Sequence, residues 1–508
     1  MFLLSTKKQV VFIMTDSTRF DMVGCYGNPD VHTPNLDQLA QEGVRFERAY
    51  SCQPVCGPAR SAIFTGLYPH SNGSFTNSVA LGDNVKTIGQ RLRDYDIHTA
   101  YIGKWHLDGG DYFGLGRCPD GWDSDYWYDM KCYLDELTPE ERLKSRNPNT
   151  NKEHIDAAFT YGHRVTNRAL DFLEKFHEED FFMVASYDEP HDPYLCPEPY
   201  ASMFENYEFP KAPNVWDTLD GKPDYQKAWA GNRRFEDRDA LKLTPGYFLG
   251  ANAYIDAEIG RILDKVKQVA PDAMVIFTSD HGDALQSHCL YAKGPAFYDE
   301  IARIPLIIKG GEVGKVNSDP ISHIDLLPTV MDYMGLPRPQ WIQGNSLMPT
   351  VQDVSVRVND VVFTEFTRYE VDHDGFGGFQ PMRSVTDGRY KLSIHLLDPI
   401  DELYDLQSDP YEMKNLIFSE THQEIRNTLH DKLLDWMNET RDPFRGYYWE
   451  RRPWRDDAVS PSWDYTGYTR QREHEEYEPR QLDYCTGLEM TQASRPKERL
   501  QPAGPNKG

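Results

Sequence analysis

Cys56 stands in the stretch Cys52-Gln53-Pro54-Val55-Cys56-Gly57-Pro58-Ala59-Arg60, which runs on to Thr65-Gly66. Pro58 suits the first turn of a helix, so Cys56 falls at the amino end, where free amide donors and the helix dipole favour an anion. Arg60 follows about one turn later on the same side. A thiol beside a guanidinium at a helix start could do covalent chemistry on an anionic substrate, and a small buried cysteine in a tight turn fits the same residues equally well. Elsewhere, Asp16, Asp280 and His281 are hard or borderline metal donors, while Lys104, His106 and His191 could hold an anion or carry a proton. Each has an ordinary reading beside that one. An aspartate at a strand end more often caps a turn, and loop lysines and histidines are commonly solvated or hydrogen-bonded.

What would bring these residues together is a parallel sheet. Short apolar runs recur between helical stretches: Val10 to Met14, Thr99 to Ile102, Phe181 to Ser186, Met274 to Thr278 and Pro305 to Ile308. Runs apolar on both faces and separated by helices predict an α/β sheet sandwiched by helices. Ligands then sit at the carboxyl ends of the strands. Four of the five runs lead directly into polar segments: Thr15-Asp16-Ser17, Gly103-Lys104-Trp105-His106, Asp188-Glu189-Pro190-His191 and Ser279-Asp280-His281-Gly282-Asp283. Helix signals agree, with Thr33 as N-cap and Pro34 at the first helical position, and a second helix over Asn252 to about Val269.

The character changes after residue 353. Val361 to Phe366 and Tyr390 to Leu396 read as strands and Thr421 to Met437 as an amphipathic helix. The expected organisation is a catalytic domain over 1–353, a small subdomain over 354–441 with an antiparallel sheet and a covering helix, and an aromatic, proline-rich tail over 442–508. The tail is expected to pack on the body or on a neighbouring subunit, which makes a homo-oligomer an expectation as well.

With 54 Lys+Arg against 80 Asp+Glu, the formal charge of −26 argues against nucleic acid and anionic membranes as partners. No apolar stretch approaches the roughly 18 residues of a spanning helix. The N-terminal run is short and enters Thr15-Asp16, so it reads as a strand rather than a signal peptide. Eight scattered cysteines without an export signal suggest reduced thiols and a cytoplasmic protein; a leader removed from the chain would reverse that.

Cys56, Pro58 and Arg60 resemble the Cys-x-Pro-x-Arg signature of type I sulfatases of the alkaline phosphatase superfamily, close to bacterial arylsulfatases and carbohydrate sulfatases. The resemblance covers roughly Val10 to Leu416 and implies an alkaline phosphatase-like fold, a large, mostly parallel sheet. It implies that a formylglycine-generating enzyme oxidises Cys56 to an aldehyde whose hydrate attacks sulfur. Asp16, Asp280, His281 and residue 56 are then the ligands of one divalent metal, calcium first. The chain departs from the family's pattern with Ser17 in place of a second aspartate and His281 in place of an asparagine, which admits manganese or zinc. By the same resemblance Arg60 and Lys104 hold sulfate oxygens, and His106 bonds the hydrate and takes its second proton. His191 and Lys293 serve the leaving oxygen, while His70 and His323 read as structural.

The implied activity is hydrolysis of a small sulfate monoester, with a sulfated carbohydrate expected and aryl sulfates as the other class. Specificity is expected in the loops Asp108 to Tyr133 and Tyr194 to Asp237. Two alternatives stay open. His281 and Ser17 resemble phosphonate monoester hydrolases, whereas Lys104 and His106 favour sulfatase. A sulfated-glycan-binding protein on a dead scaffold is the second, opposed by the intact Cys56-Gly57-Pro58-Ala59-Arg60.

Overall fold

The computed structural model describes residues 7–458 except 110–111, 208–211, 236–244 and 371–378, together with the short pair Leu482–Asp483 and Leu488–Glu489. Seven strands form the main sheet: β1 (Gln9–Thr15), β2 (Val44–Tyr50), β3 (His98–Gly103), β4 (Phe181–Ser186), β5 (Met274–Ser279), β6 (Arg303–Lys309) and β7 (Lys315–Ser322). Their order is β3-β4-β1-β5-β6-β2-β7. β3, β4, β1 and β5 pair in parallel, as do β2 and β7, while β6 runs antiparallel to both its neighbours. The run Pro305 to Ile308 is therefore a strand, as expected, but the one that breaks the parallel pattern.

Successive side chains of a strand point to opposite faces, so a sheet covered on both sides needs two cores. Val11 and Ile13 of β1 join Ala100, Met183 and Phe277 on one face, beneath the helices Pro34–Glu42, Tyr161–Phe176 and Pro245–Val269. Val10, Phe12 and Met14 join Tyr101, Val184 and Ile276 on the other, beneath Cys56–Thr65 and Leu326–Tyr333. Among the described residues no helix is long and apolar enough to cross a membrane.

Thr33 does not cap its helix with its side chain, contrary to expectation; its hydroxyl accepts from the amide of Gly24 at 2.8 Å. Asp256 takes over the helix amides, accepting from Leu36 N at 2.9 Å and Asn35 N at 3.1 Å. A carboxylate brought in by tertiary packing does what a local hydroxyl was predicted to do.

A second, antiparallel sheet has the order β11-β10-β9-β8, from β8 (Val362–Phe366), β9 (Met382–Thr386), β10 (Tyr390–His395) and β11 (Glu402–Asp405). The helix Gln423–Glu439 covers it with Leu429, Leu433 and Trp436. Trp449 and Trp454 belong to the same core, and Asp442 pairs with Arg383 at 2.5 Å, both buried. Through residue 458 the chain thus packs on its own small sheet; the rest of the expected tail lies outside the described residues apart from the short strand pair. This sheet also holds the cysteine motif from behind. Cys52 and Ala62 share its core, and Glu365 N donates to Cys52 O at 2.8 Å. The described cysteines are free thiols; Cys485 lies outside the described residues.

Candidate active site

The helix Cys56–Thr65 begins at Cys56, after Val55 in extended conformation, and is buried along its whole length. Glycine suits the second position, which is closely packed. A Cβ there would lie 3.1 Å from Asn77 Oδ1 and 3.2 Å from the His106 carbonyl oxygen, and the Gly57 amide already donates to Asn77 at 2.9 Å.

Cys56 Sγ sits 3.2 Å from His281 Nε2 and 3.8 Å from Asp16 Oδ1. His281 Nε2 is in turn 3.8 Å from Asp16 Oδ1 and 3.6 Å from Asp280 Oδ1. Nδ1 of His281 bonds the Gly282 carbonyl at 2.7 Å, which puts the ring proton there and leaves Nε2 bare toward the carboxylates. One donor atom from each of Asp16, Cys56, Asp280 and His281 lies within 4.8 Å of the others, all buried. Metal–ligand bonds of roughly 2.0–2.5 Å place neighbouring donors about 3–4 Å apart. These residues therefore fit a divalent cation.

The electrostatics agree. Burial and the charge of Asp16 push the Asp280 carboxyl up to about 7. Two buried carboxylates side by side repel, and a cation relieves that. Burial would raise Asp16 too, but the surrounding positive charge, the Lys104 ammonium at 2.8 Å first, outweighs it and holds the carboxyl well below the usual range. Burial, then Asp16, pushes the Cys56 thiol up to about 12, so as a thiol it is a poor nucleophile in this setting.

Arg60 locks the far side of the two carboxylates. Its Nε donates to Asp280 Oδ2 at 3.0 Å and a terminal nitrogen to Asp16 Oδ2 at 3.2 Å, leaving both Oδ1 atoms toward His281. Its other terminal nitrogen donates to Lys104 O at 2.6 Å and Ser186 Oγ at 2.8 Å. Lys104 Nζ lies 2.8 Å from Asp16 Oδ2 and 2.9 Å from Asp188 Oδ1; burial would discharge it, but these acids keep it charged. His106 is buried at φ 57° with no hydrogen-bond partner at Nδ1. Burial, then Lys104 and Arg60, hold its pKa well below the usual histidine value, so the ring is a neutral base.

Across the site Lys293 Nζ approaches His191 Nε2 at 2.8 Å. Burial opposes the charge on Lys293, but the acidic groups that it faces, the Asp16 carboxylate among them, outweigh it. His70 and His323 stand apart as structural residues: His70 Nδ1 pairs with Glu365, and His323 Nε2 bonds the Ser279 carbonyl at 2.9 Å. Four residues were not singled out from sequence. Ser186 ends β4 and Asp188 follows two residues later; they secure Arg60 and Lys104, and their place at a strand end was the available signal. Tyr112, whose hydroxyl receives Lys104 Nζ at 3.0 Å and lies 3.3 Å from His191 Nδ1, falls in the Asp108 to Tyr133 loop expected to carry specificity, while Asn77 carries no signal in type or spacing.

The sulfatase family model matches residues 8–336, which contain every residue of this site. The chain belongs to the sulfatase family. This sulfatase is a sulfuric ester hydrolase, and the model for the C-terminal region of N-sulphoglucosamine sulphohydrolase matches residues 287–439. It is 44% identical over 502 residues to the uncharacterized sulfatase YidJ of Escherichia coli K12, covering 97% of this chain and 98% of that one. An ulvan-active sulfatase of Formosa agariphila is 28% identical over 480 residues, covering 91% of this sulfatase and 88% of the relative. The phosphonate monoester hydrolase of Agrobacterium radiobacter superposes with a TM-score of 0.71 at 23% identity, over 85% of this chain and 96% of that one; at that identity the likeness is one of fold.

Proposed function

We propose that this sulfatase hydrolyses the sulfate monoester of a carbohydrate, with Cys56 matured to formylglycine and a divalent cation held by Asp16, Asp280, His281 and residue 56. The observation that carries the reading is the convergence of those four side chains between Arg60 and Lys104 on one side and the His191–Lys293 pair on the other. The ulvan-active relative supports a carbohydrate as the alcohol. Two carboxylates suit calcium, and the imidazole suits manganese or zinc equally.

The matured residue and its cation supply a hydrated aldehyde activated for attack on sulfur, which a buried thiol held near 12 cannot replace. The chain's own residues do the rest. Lys104 and Arg60 hold fixed positive charge where charge collects on the nonbridging oxygens, already oriented by Asp16, Asp188 and Ser186. The neutral His106, with Nδ1 unengaged, takes the hydroxyl proton. A charged lysine can only donate, so His191 Nε2 accepts from Lys293, and Lys293 Nζ is the proton source for the departing alkoxide.

Mass spectrometry of the Cys56 peptide, from protein co-expressed with a formylglycine-generating enzyme, tests this together with release of sulfate from 4-nitrophenyl sulfate. The thiol-to-aldehyde mass loss with metal-dependent turnover is the expected result. An unmodified thiol and no turnover removes the mechanism and favours the glycan-binding alternative. A second reading, phosphonate monoester hydrolysis, is favoured by the bare Nε2 of His281 and by Ser17, whose hydroxyl donates to Asp16 at 2.8 Å. A higher kcat/KM on phenyl phosphonate esters than on aryl sulfates would select it.

A further inference from the structure

A cavity of about 280 Å³ opens outward from the His191–Lys293 pair. It lies on the side where the alcohol half of the ester must sit, because Lys293 is placed to protonate the departing oxygen. Its size falls just below the usual range of small-molecule sites, roughly 300–1,000 Å³, and suits a single sugar ring. Beyond that pair the wall is formed by the carboxylates of Asp192 and Asp283, the amide of Gln286 and the rings of Tyr194 and Tyr291. Among the described residues the lining supplies no other cation.

The cations nearby are committed elsewhere. Arg146 lies 3.7 Å from Asp188 Oδ2 and over the ring of Tyr112. Arg233 stacks behind Tyr291 at 3.9 Å and donates to the carbonyls of Trp229 and Cys289. Asp283 is held facing the cavity by the Leu285 amide at 2.8 Å, and Asp192 Oδ1 lies 3.0 Å from His191 Nδ1. Carboxylates and an amide accept and donate to sugar hydroxyls, and tyrosine rings offer apolar faces to pyranose C–H groups. A carboxylate or a second sulfate on the same ring would meet like charge at Asp192 and Asp283, and beyond the His191–Lys293 pair the described lining offers no cation to pair it.

Resting on the carbohydrate sulfatase reading above, we infer that the alcohol subsite selects one neutral or amino-sugar ring and rejects uronates and rings bearing a second sulfate. The two wall carboxylates are the specificity determinants, acting by repulsion as much as by hydrogen bonding.

The test compares kcat/KM on 4-nitrophenyl sulfate, 6-sulfated N-acetylglucosamine, 6-sulfated galactose and 2-sulfated glucuronate, with the matured, metal-loaded enzyme. Like-charge juxtaposition costs several kcal/mol, so the neutral sugars should lead the uronate by at least about tenfold. In Asp192→Asn/Asp283→Asn that ratio should shrink by about tenfold. Where the double variant does not fold, added salt on the wild-type enzyme should narrow the same ratio by screening. A uronate cleaved as well as the neutral sugars, or a ratio indifferent to both the variant and salt, overturns the inference while leaving sulfatase activity intact. No sulfate release from any ester, 4-nitrophenyl sulfate included, overturns the carbohydrate sulfatase reading itself and this inference with it.

Discussion

Lys293 donates to Nε2 of His191 across 2.8 Å, joining the loop after β5 to the loop after β4 on the leaving-group side of the site. The other ring nitrogen of His191 faces the Asp192 carbonyl at 3.0 Å, so the ring proton lies on Nδ1 and the imidazole holds the ammonium in place. Loss of either partner should therefore matter in proportion to how badly the leaving oxygen needs a proton. Lys293→Ala and His191→Ala are expected to lower kcat on a sugar sulfate by about 10²–10⁴, the usual range for general acid catalysis. On 4-nitrophenyl sulfate, whose phenolate departs unaided, the loss should be under about tenfold. Because the two residues act as a unit, the double variant should be little worse than either single one. Additive losses, or equal losses on both substrates, would contradict the assignment.

Asp16 and Asp280 repel across a buried space, and burial with Asp16's charge has pushed Asp280 up to about 7. A cation that binds the folded chain alone stabilises it by about 2.7 kcal/mol at a hundredfold excess over Kd. Chelation should accordingly abolish turnover and lower Tm, and readdition should restore both. His281→Asn exchanges an imidazole for a carbonyl donor, which should move the preference from manganese or zinc toward calcium. Thermal shifts titrated with each ion measure that preference without relying on activity. An unchanged order of ions would show that His281 is not a ligand.

Glu189 is buried beside Asp188, with Oε1 accepting from Gly162 N at 3.0 Å and Oε2 without a partner. Burial first, then the charge of Asp188, push its carboxyl from 4.5 to about 7. The sign follows from proton uptake. Between these values the folded chain binds the proton and the unfolded chain has lost it, so stability falls as pH rises from about 4.5 to 7 and is level above. At 1.36 kcal/mol per pKa unit the full effect is on the order of 3 kcal/mol. Glu189→Gln should remove it, giving a higher Tm than wild type at pH 8 and a similar one at pH 5. A Tm difference independent of pH would place the effect in packing instead.

The residues of the site were legible because they follow apolar strands directly. Asp16, Lys104, Asp280 and His281 each sit within two residues of a strand end, where a parallel sheet must present them. β2 was not legible, since Arg45, Glu47 and Arg48 interrupt its run; the strand buries Val44 and Phe46 on one side and leaves those charges partly wet on the other. β7 was hidden for a related reason, being an edge strand with Lys315, Asp319 and Pro320 in it. The reversed direction of β6 leaves no mark in composition, because an apolar run reads alike both ways. Tyr112 and Asn77 reach the site by tertiary packing from loops; the Asp108 to Tyr133 loop is expected there, but nothing local singles out Tyr112 within it, and nothing marks Asn77.

The loop that delivers Lys293 holds five non-glycine residues at positive φ: Leu285 at 40°, Gln286 at 73°, His288 at 55°, Cys289 at 58° and Ala292 at 57°. Each such residue costs about 1–2 kcal/mol, so the surroundings must hold the loop in place. His288 is the principal anchor. It is fully buried, stacks on Tyr298 at 3.6 Å between ring centroids, and Nδ1 lies 2.6 Å from Asp217 Oδ2, while Cys289 Sγ reaches the Asp217 carbonyl at 3.1 Å. From the other side Arg19 donates to Ala284 O at 3.1 Å. Removing the imidazole leaves Asp217 short of a partner and frees the strain, so His288→Ala should lose about 3–5 kcal/mol of stability. It should also mimic Lys293→Ala in kind, lowering kcat on sugar sulfates more than on 4-nitrophenyl sulfate, because Lys293 Nζ would lose its fixed position. Asp217→Asn keeps the shape but leaves the buried Lys222 ammonium, 2.6 Å from Asp217 Oδ2, without its carboxylate, so it too should lower stability. A His288→Ala enzyme that is less stable but keeps the wild-type ratio of the two substrates would show that the anchor serves folding alone.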